Sequence, residues 1–158
     1  MDKPSQKIDP GALKAWRVSG MLSAVCYSIA VAVLIWLTVR LDWPIWVWIT
    51  AVLLAGAGAT LEIAVLPAVK YRQWRYAVDD EQIELRHGII VLKRTTIPMV
   101  RVQHVDTKQG PILKRYGLAT VTFSTAAGSH EIPALTERTA DEIRSRIARL
   151  AILSEEEL

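Results

Sequence analysis

The chain has 158 residues, 51 % of them apolar, with 19 Lys and Arg against 16 Asp and Glu and a formal net charge of +3. So small a positive excess does not point to nucleic acid, and the single cysteine, Cys26, excludes an intrachain disulfide framework or a Cys-based metal site. The apolar residues are crowded into the first half, so the average composition conceals two unlike regions.

Residues 1–18 form an N-terminal segment with Lys3, Lys7, Lys14 and Arg17 against Asp2 and Asp9. Its first few residues are expected to be disordered, and residues 10–18, with Trp16 between two cations, form an interfacial lead-in. Residues 19–39 then carry no charge, a length that at about 1.5 Å per residue crosses a hydrocarbon core of about 30 Å. Residues 43–69 are apolar apart from Glu62. Only Arg40, Leu41 and Asp42 lie between, and since unpaired backbone does not sit in lipid, residues 19–69 predict a two-span helical hairpin. The first run is longer than a signal-peptide core and a second span follows at once, so it is a retained anchor.

Basic residues flank the hairpin at its outer ends, where Lys70, Arg72 and Arg75 follow the second span, while Arg40 stands alone in the turn. The positive-inside rule therefore puts both termini in the cytoplasm. Trp36, Trp43, Trp46 and Trp48 gather at the turn as an interfacial belt, with Tyr71, Trp74 and Tyr76 as its inner counterpart. Gly20, Ala24, Ser28 and Ala32, and on the second span Ala51, Ala55 and Ala59, recur at helical spacing and predict close helix packing. Contact with another molecule through Gly56 or Gly58 is the competing use. Glu62, about two turns before Lys70, is the one ionisable group well inside a span. Snorkelling or a hydrogen bond to the first helix is the plain reading; an ion or proton pathway is the functional one.

Beyond Trp74 the spacing becomes alternating. Strands are expected at 75–78, 82–87 and 89–97, with a turn at 79–81, a reversal at Gly88 and an end at Pro98. The slip from Val100 and Val102 to Val105 suggests a β-bulge at Gln103 and His104. Gly110 and Pro111 break the ladder, 112–116 forms one helical turn, and strands follow at 118–125 and 130–132 around a turn at 126–129. Ala140, Ile143, Ile147 and Leu150 give a closing amphipathic helix of three or four turns, with Thr139 and Glu142 at capping-box spacing. An acidic tail, 153–158, completes the chain.

Two spans, strands, the run RTTIPMVRVQHV at 94–105, GPILKRYGLAT at 110–120 and a final helix together resemble the bacterial pleckstrin-homology-like membrane proteins of the YdbS type. The resemblance covers nearly the whole chain. It implies an α+β membrane protein: a transmembrane hairpin, then a PH-like antiparallel β-barrel or sandwich of about seven strands in residues 70–152, capped by the C-terminal helix. It also implies multi-pass residence in the bacterial inner membrane. No catalytic or ligand residues come with it, and the eukaryotic phosphoinositide loop has no counterpart here.

Catalysis finds no support. His87, His104 and His130 lack zinc spacing, no nucleophile elbow surrounds Ser124 or Ser129, and no phosphate loop is present, so no catalytic residue, cofactor or metal is expected. Lys70, Arg72, Arg75, Arg94 and Arg101 are the candidates for anionic lipid, against the plain alternative of a solvated surface with acidic neighbours such as Glu84 and Asp106. Nucleic acid is not expected, because no stacking aromatics accompany these cations. The function expected is a non-enzymatic interaction scaffold on the cytoplasmic face, binding another protein or itself. The alternatives are an anionic-headgroup sensor and an accessory subunit of a transport or stress-response complex.

Overall fold

The computed structural model describes residues 6–156, which form two compact units, residues 13–68 and the remainder. The expectation for the first few residues and the end of the acidic tail, Glu157 and Leu158, fall outside the described residues.

Two helices dominate the first unit, α1 (Gly11–Arg40) and α2 (Trp46–Gln73), and both are long and apolar enough to cross a membrane. The turn between them is a Schellman motif. Asp42 takes the left-handed conformation (φ 51°), and Trp43 N–H reaches back 3.1 Å to the Thr38 carbonyl, capping α1 where glycine is usual but Asp is tolerated. Trp36, Trp43 and Trp46 are exposed here, and the Arg40 guanidinium lies 5.7 Å from the Trp36 ring centre.

α2 is not a uniform helix. Pro67 has no N–H for the Ile63 carbonyl and its ring crowds that turn. Just before it, Leu61–Val65 widens into a π-turn, closed by the Leu66 N–H on the Leu61 carbonyl.

The second unit holds six strands among the described residues. β1 (Arg75–Val78), β2 (Gln82–His87) and β3 (Lys93–Pro98) form one antiparallel sheet. β4 (His104–Lys108), β5 (Leu118–Thr125) and β6 (Gly128–Thr136) form the other. Ile83, Leu85 and Ile97 of the first sheet and Leu118, Val121, Phe123 and Ile132 of the second are buried with Met99, Ile143 and Ile147, giving a PH-like sandwich. Among the described residues the sheets share no strand pairing, so the barrel is not closed, and the strands number six rather than about seven.

Several local expectations need correction. β3 begins at Lys93, not at Ile89; residues 88–92 are a loop. The slip after Pro98 is a 3-10 turn, Met99–Arg101, rather than a bulge at Gln103. The bulge lies elsewhere: Ala119 pairs with Leu135 and Val121 with Ile132, so Pro133 and Ala134 together oppose Thr120. Proline is tolerated there because the bulge asks no ladder N–H of it, so β6 runs on through Pro133. Between the sheets, α3 (Pro111–Arg115) supplies the expected helical turn.

The closing helix, α4 (Glu137–Glu156), starts earlier and runs longer than its apolar spacing suggests. Thr136, not Thr139, caps it, accepting the Thr139 N–H at 3.2 Å. Ala140, Ile143 and Ile147 are buried, and α4 packs on the 3-10 turn, β4, β5 and β6. Arg146 ties it to Asp80 in the β1–β2 turn at 2.9 Å.

The N-terminal segment also joins this unit. Gln6 and Tyr76 exchange backbone hydrogen bonds of 3.2 and 3.1 Å, Asp9 N–H reaches the Ala134 carbonyl at 3.1 Å, and Ile8 and Ala12 are fully buried. Trp74 and Tyr76 are buried here too, so they are core residues and not an inner interfacial belt. Burial also raises the Tyr76 phenol above its ordinary pKa.

Candidate functional site

Two surfaces of the second unit and one contact inside the hairpin carry the polar groups that the fold has placed with purpose. The first surface is the end of the β1–β2–β3 sheet at which α2 arrives. Gln73 is the last residue of α2 and Arg75 the first of β1. The register sets Arg75 opposite Arg86 and Arg86 opposite Arg94, so three arginines stand in one row across one face of three strands. Like charges directly opposite one another weaken a sheet, and Glu84 meets only part of that repulsion. Its carboxylate, in a residue only 6 % exposed, accepts from Arg94 Nη2 through both oxygens, at 3.0 and 2.9 Å. Arg75 Nη1 donates to the Trp74 carbonyl at 2.7 Å. Arg86 is exposed and makes no ion pair among the described residues.

Beyond this row β2 and β3 are joined by Gly88, Ile89, Ile90, Val91 and Leu92, whose four aliphatic side chains are all exposed, Ile90 by 96 % and Val91 by 77 %. Gly88 has φ 145°, and a Cβ there would stand 2.0 Å from the Val91 carbonyl oxygen, so only glycine closes this loop. The loop's base is clamped to the end of α2: the Trp74 ring stacks on His87 at 5.0 Å, and Gln73 Nε2 donates to the Ile89 carbonyl at 3.4 Å. Burial, then the neighbouring Lys93, His130 and Lys70 charges, push the His87 pKa below its ordinary value, and Glu131 opposes them.

The second surface is a groove of about 790 Å³. Its floor and walls include Val100, Arg101, Val102, Val105, Ala148 and Ile152. β4 is an outer strand of its sheet, paired only with β5, and it is exposed along almost its whole length. Asp106, whose carboxylate lies 3.0 Å from His104 Nε2, and Lys108 put charge along that open edge, which discourages indiscriminate pairing. The small side chains of Ala148 and Ala151 on α4 and of Ala126 and Ala127 in the β5–β6 turn leave room for an extended segment.

Within the hairpin, the Tyr27 hydroxyl donates to Glu62 Oε1 at 2.7 Å. Glu62 sits in the π-turn, and a Cβ on Gly20 would fall 2.9 Å from its carbonyl oxygen.

The candidates named from sequence fall into separate places. Arg75 and Arg94 join the row with Arg86; Lys70 and Arg72 lie in the last turns of α2, Lys70 half-buried and Arg72 exposed; Arg101 lines the groove. Among the small residues, Gly20 is buried, Ala24, Ala51, Ala55 and Ala59 are half-buried, and Ser28 and Ala32 are exposed. Sequence reasoning missed Arg86 as the middle of a row, because that depends on register. It also missed the apolar loop, because four β-branched or leucine residues after a glycine look like a strand. Pro67 was the available signal for the π-turn. No cluster of three metal-ligating side chains occurs among the described residues.

A hairpin of two membrane-length helices continuous with a PH-like sandwich defines a class of membrane-anchored domain. The bacterial PH domain family model matches residues 11–151, and the chain belongs to that family. It is 44 % identical to the UPF0699 transmembrane protein YdbS of Bacillus subtilis (strain 168), with 99 % of each chain covered. It is also 27 % identical over 79 residues to the UPF0699 transmembrane protein YdbT of the same organism, which covers 50 % of this chain and 16 % of that one. No solved structure matches. Neither the family description nor these names indicates an enzyme.

Proposed function

We propose that this chain is a non-enzymatic interaction scaffold, held by its hairpin at the cytoplasmic face of the bacterial inner membrane, with both termini inside. The observation that carries the reading is a groove lined by residues 100–105, the β5–β6 turn and α4, which reaches the start of the outer strand β4. An extended segment of a partner, or of a second copy, lies in this groove against the Val100, Val105 and Ile152 side chains, and the neighbouring unpaired edge of β4 offers it main-chain hydrogen bonds. The basic flanks of the hairpin and the single Arg40 in its turn support the orientation. So does the joining of residues on both flanks, Gln6 with Tyr76 and Asp9 with Ala134, in one unit.

A photo-reactive side chain at Ala151, in the groove, tests this in native membranes against one at Ser145, which is exposed on α4 and outside the groove lining. The reading expects an adduct from Ala151 alone, lost when Ala148→Arg fills the groove; equal adducts from both positions, or none, contradict it. An adduct of twice the chain mass identifies self-association.

The arginine row favours a second reading, an anionic-headgroup sensor, in which Arg75, Arg86, Lys70 and Arg72 face lipid phosphates. Arg94 contributes less there because Glu84 holds it. An accessory-subunit role through Glu62 has less support, since its carboxylate is already engaged by Tyr27 within the hairpin.

A further inference from the structure

We propose that residues 88–92 are a lipid-inserting tip: Ile89, Ile90, Val91 and Leu92 enter the headgroup and acyl boundary of the leaflet from which α2 emerges, and Arg86 and Arg75 behind them meet its phosphates. The inference rests on the transmembrane character of the hairpin and is independent of the groove.

Four consecutive exposed aliphatic side chains at a loop apex are an apolar surface that water does not favour, and no element among the described residues covers them. Three observations select the bilayer as the occupant. Gln73 holds the Ile89 carbonyl at 3.4 Å, and Gln73 stands about one helical turn past Val69, the last residue of the apolar run. The tip is therefore fastened to the stretch of chain that leaves the membrane. The Trp74 stack on His87 fixes the β2 side of the loop base to the same point.

Charge is the third. The arginine row lies two residues back from the loop on each strand, about 7 Å at the rise of a strand. An apolar apex that penetrates about 5–10 Å thus brings long guanidinium side chains to the phosphate layer. The same row would repel a second copy of itself, which argues against face-to-face pairing of tips.

The test uses the full chain, with Cys26→Ser, in nanodiscs of phosphatidylglycerol and phosphatidylcholine. Ile90→Cys and Ser145→Cys are each given a nitroxide label, and collision rates with oxygen and with a water-soluble nickel complex are read by electron paramagnetic resonance. The expected result is several-fold protection of the Ile90 label from nickel together with enhanced oxygen contact, neither seen at Ser145. The protection should be the same in discs that hold one copy. Nickel access at Ile90 equal to that at Ser145 overturns the proposal, as does protection seen only in discs with two copies, which would assign the tip to a protein interface.

Discussion

The hydroxyl of Tyr27 donates a 2.7 Å hydrogen bond to Oε1 of Glu62, joining the two membrane-length helices through the ionisable side chain of the second. A carboxyl group in a span is costly unless a partner meets it, and this bond supplies one from within the hairpin. Tyr27→Phe should therefore weaken helix association, because it leaves the Glu62 carboxyl without its interhelical donor. Glu62→Gln, which keeps an acceptor for the Tyr27 hydroxyl, should cost less. Unfolding of the full chain in bicelles checks the order of the two variants.

Gly20 permits the backbone approach on which that bond depends. A methyl group at Gly20 meets the Glu62 carbonyl oxygen at 2.9 Å and its carbon at 3.1 Å, so Gly20→Ala must push the helices apart. A loss of about 1–3 kcal/mol is expected, as for overpacking elsewhere. Gly56, by contrast, has open space where its Cβ would lie, and Gly56→Ala should leave hairpin stability unchanged or slightly raised. The same bicelle measurement compares them.

Arg94 matters to the fold through Glu84. Arg94→Met leaves a buried carboxylate without its ion pair and should destabilise the domain by about 1–3 kcal/mol, the scale of a lost hydrogen bond to a charged group. Arg86→Met removes one of the opposed charges in the row and should be neutral or stabilising. Thermal unfolding in nanodiscs should show a lower Tm than the parent protein for Arg94→Met and an equal or higher one for Arg86→Met.

The His87 pKa carries a pH dependence. Because its folded value lies below the ordinary value near 6.5, the unfolded chain binds the extra proton first as pH falls. The contribution is thus complete above the ordinary value and is lost as acid takes the solution down toward the folded value. The Tm advantage of the parent protein over His87→Gln should shrink between pH 7.5 and pH 5.5. An advantage that grows on acidification would mean that the stacked ring is charged in the folded state.

Much of this architecture can be read in the residues, and the rest depends on contacts that periodicity does not carry. The hairpin follows from uninterrupted apolar length, β1, β2 and β5 from alternation, and the capping helix from Ile143 and Ile147. Residues 88–92 mislead because β-branched side chains favour a strand locally, whereas Gly88 turns the chain back before it can pair. Pro133 suggests a strand end and instead sits in a bulge, a distinction made by the partner strand. Thr139 has capping-box spacing, yet Thr136 takes the cap because β6 runs straight into α4. Ile8 has no helical or alternating context to mark it as core, and its burial arises only through the bonds of Gln6 and Asp9 to distant strands. At the candidate sites the individual cations are visible in the sequence; the row they form and the groove beside β4 are products of register and packing.

The central claim is a PH-like domain held at the cytoplasmic face by a hairpin whose turn lies outside. With Cys26→Ser as background, single cysteines at Asp42, in the turn, and at Ser145, on α4, are exposed to a membrane-impermeant maleimide in intact spheroplasts. The account predicts labelling of Asp42→Cys without lysis and of Ser145→Cys only after lysis; labelling of Ser145→Cys in intact spheroplasts would contradict it.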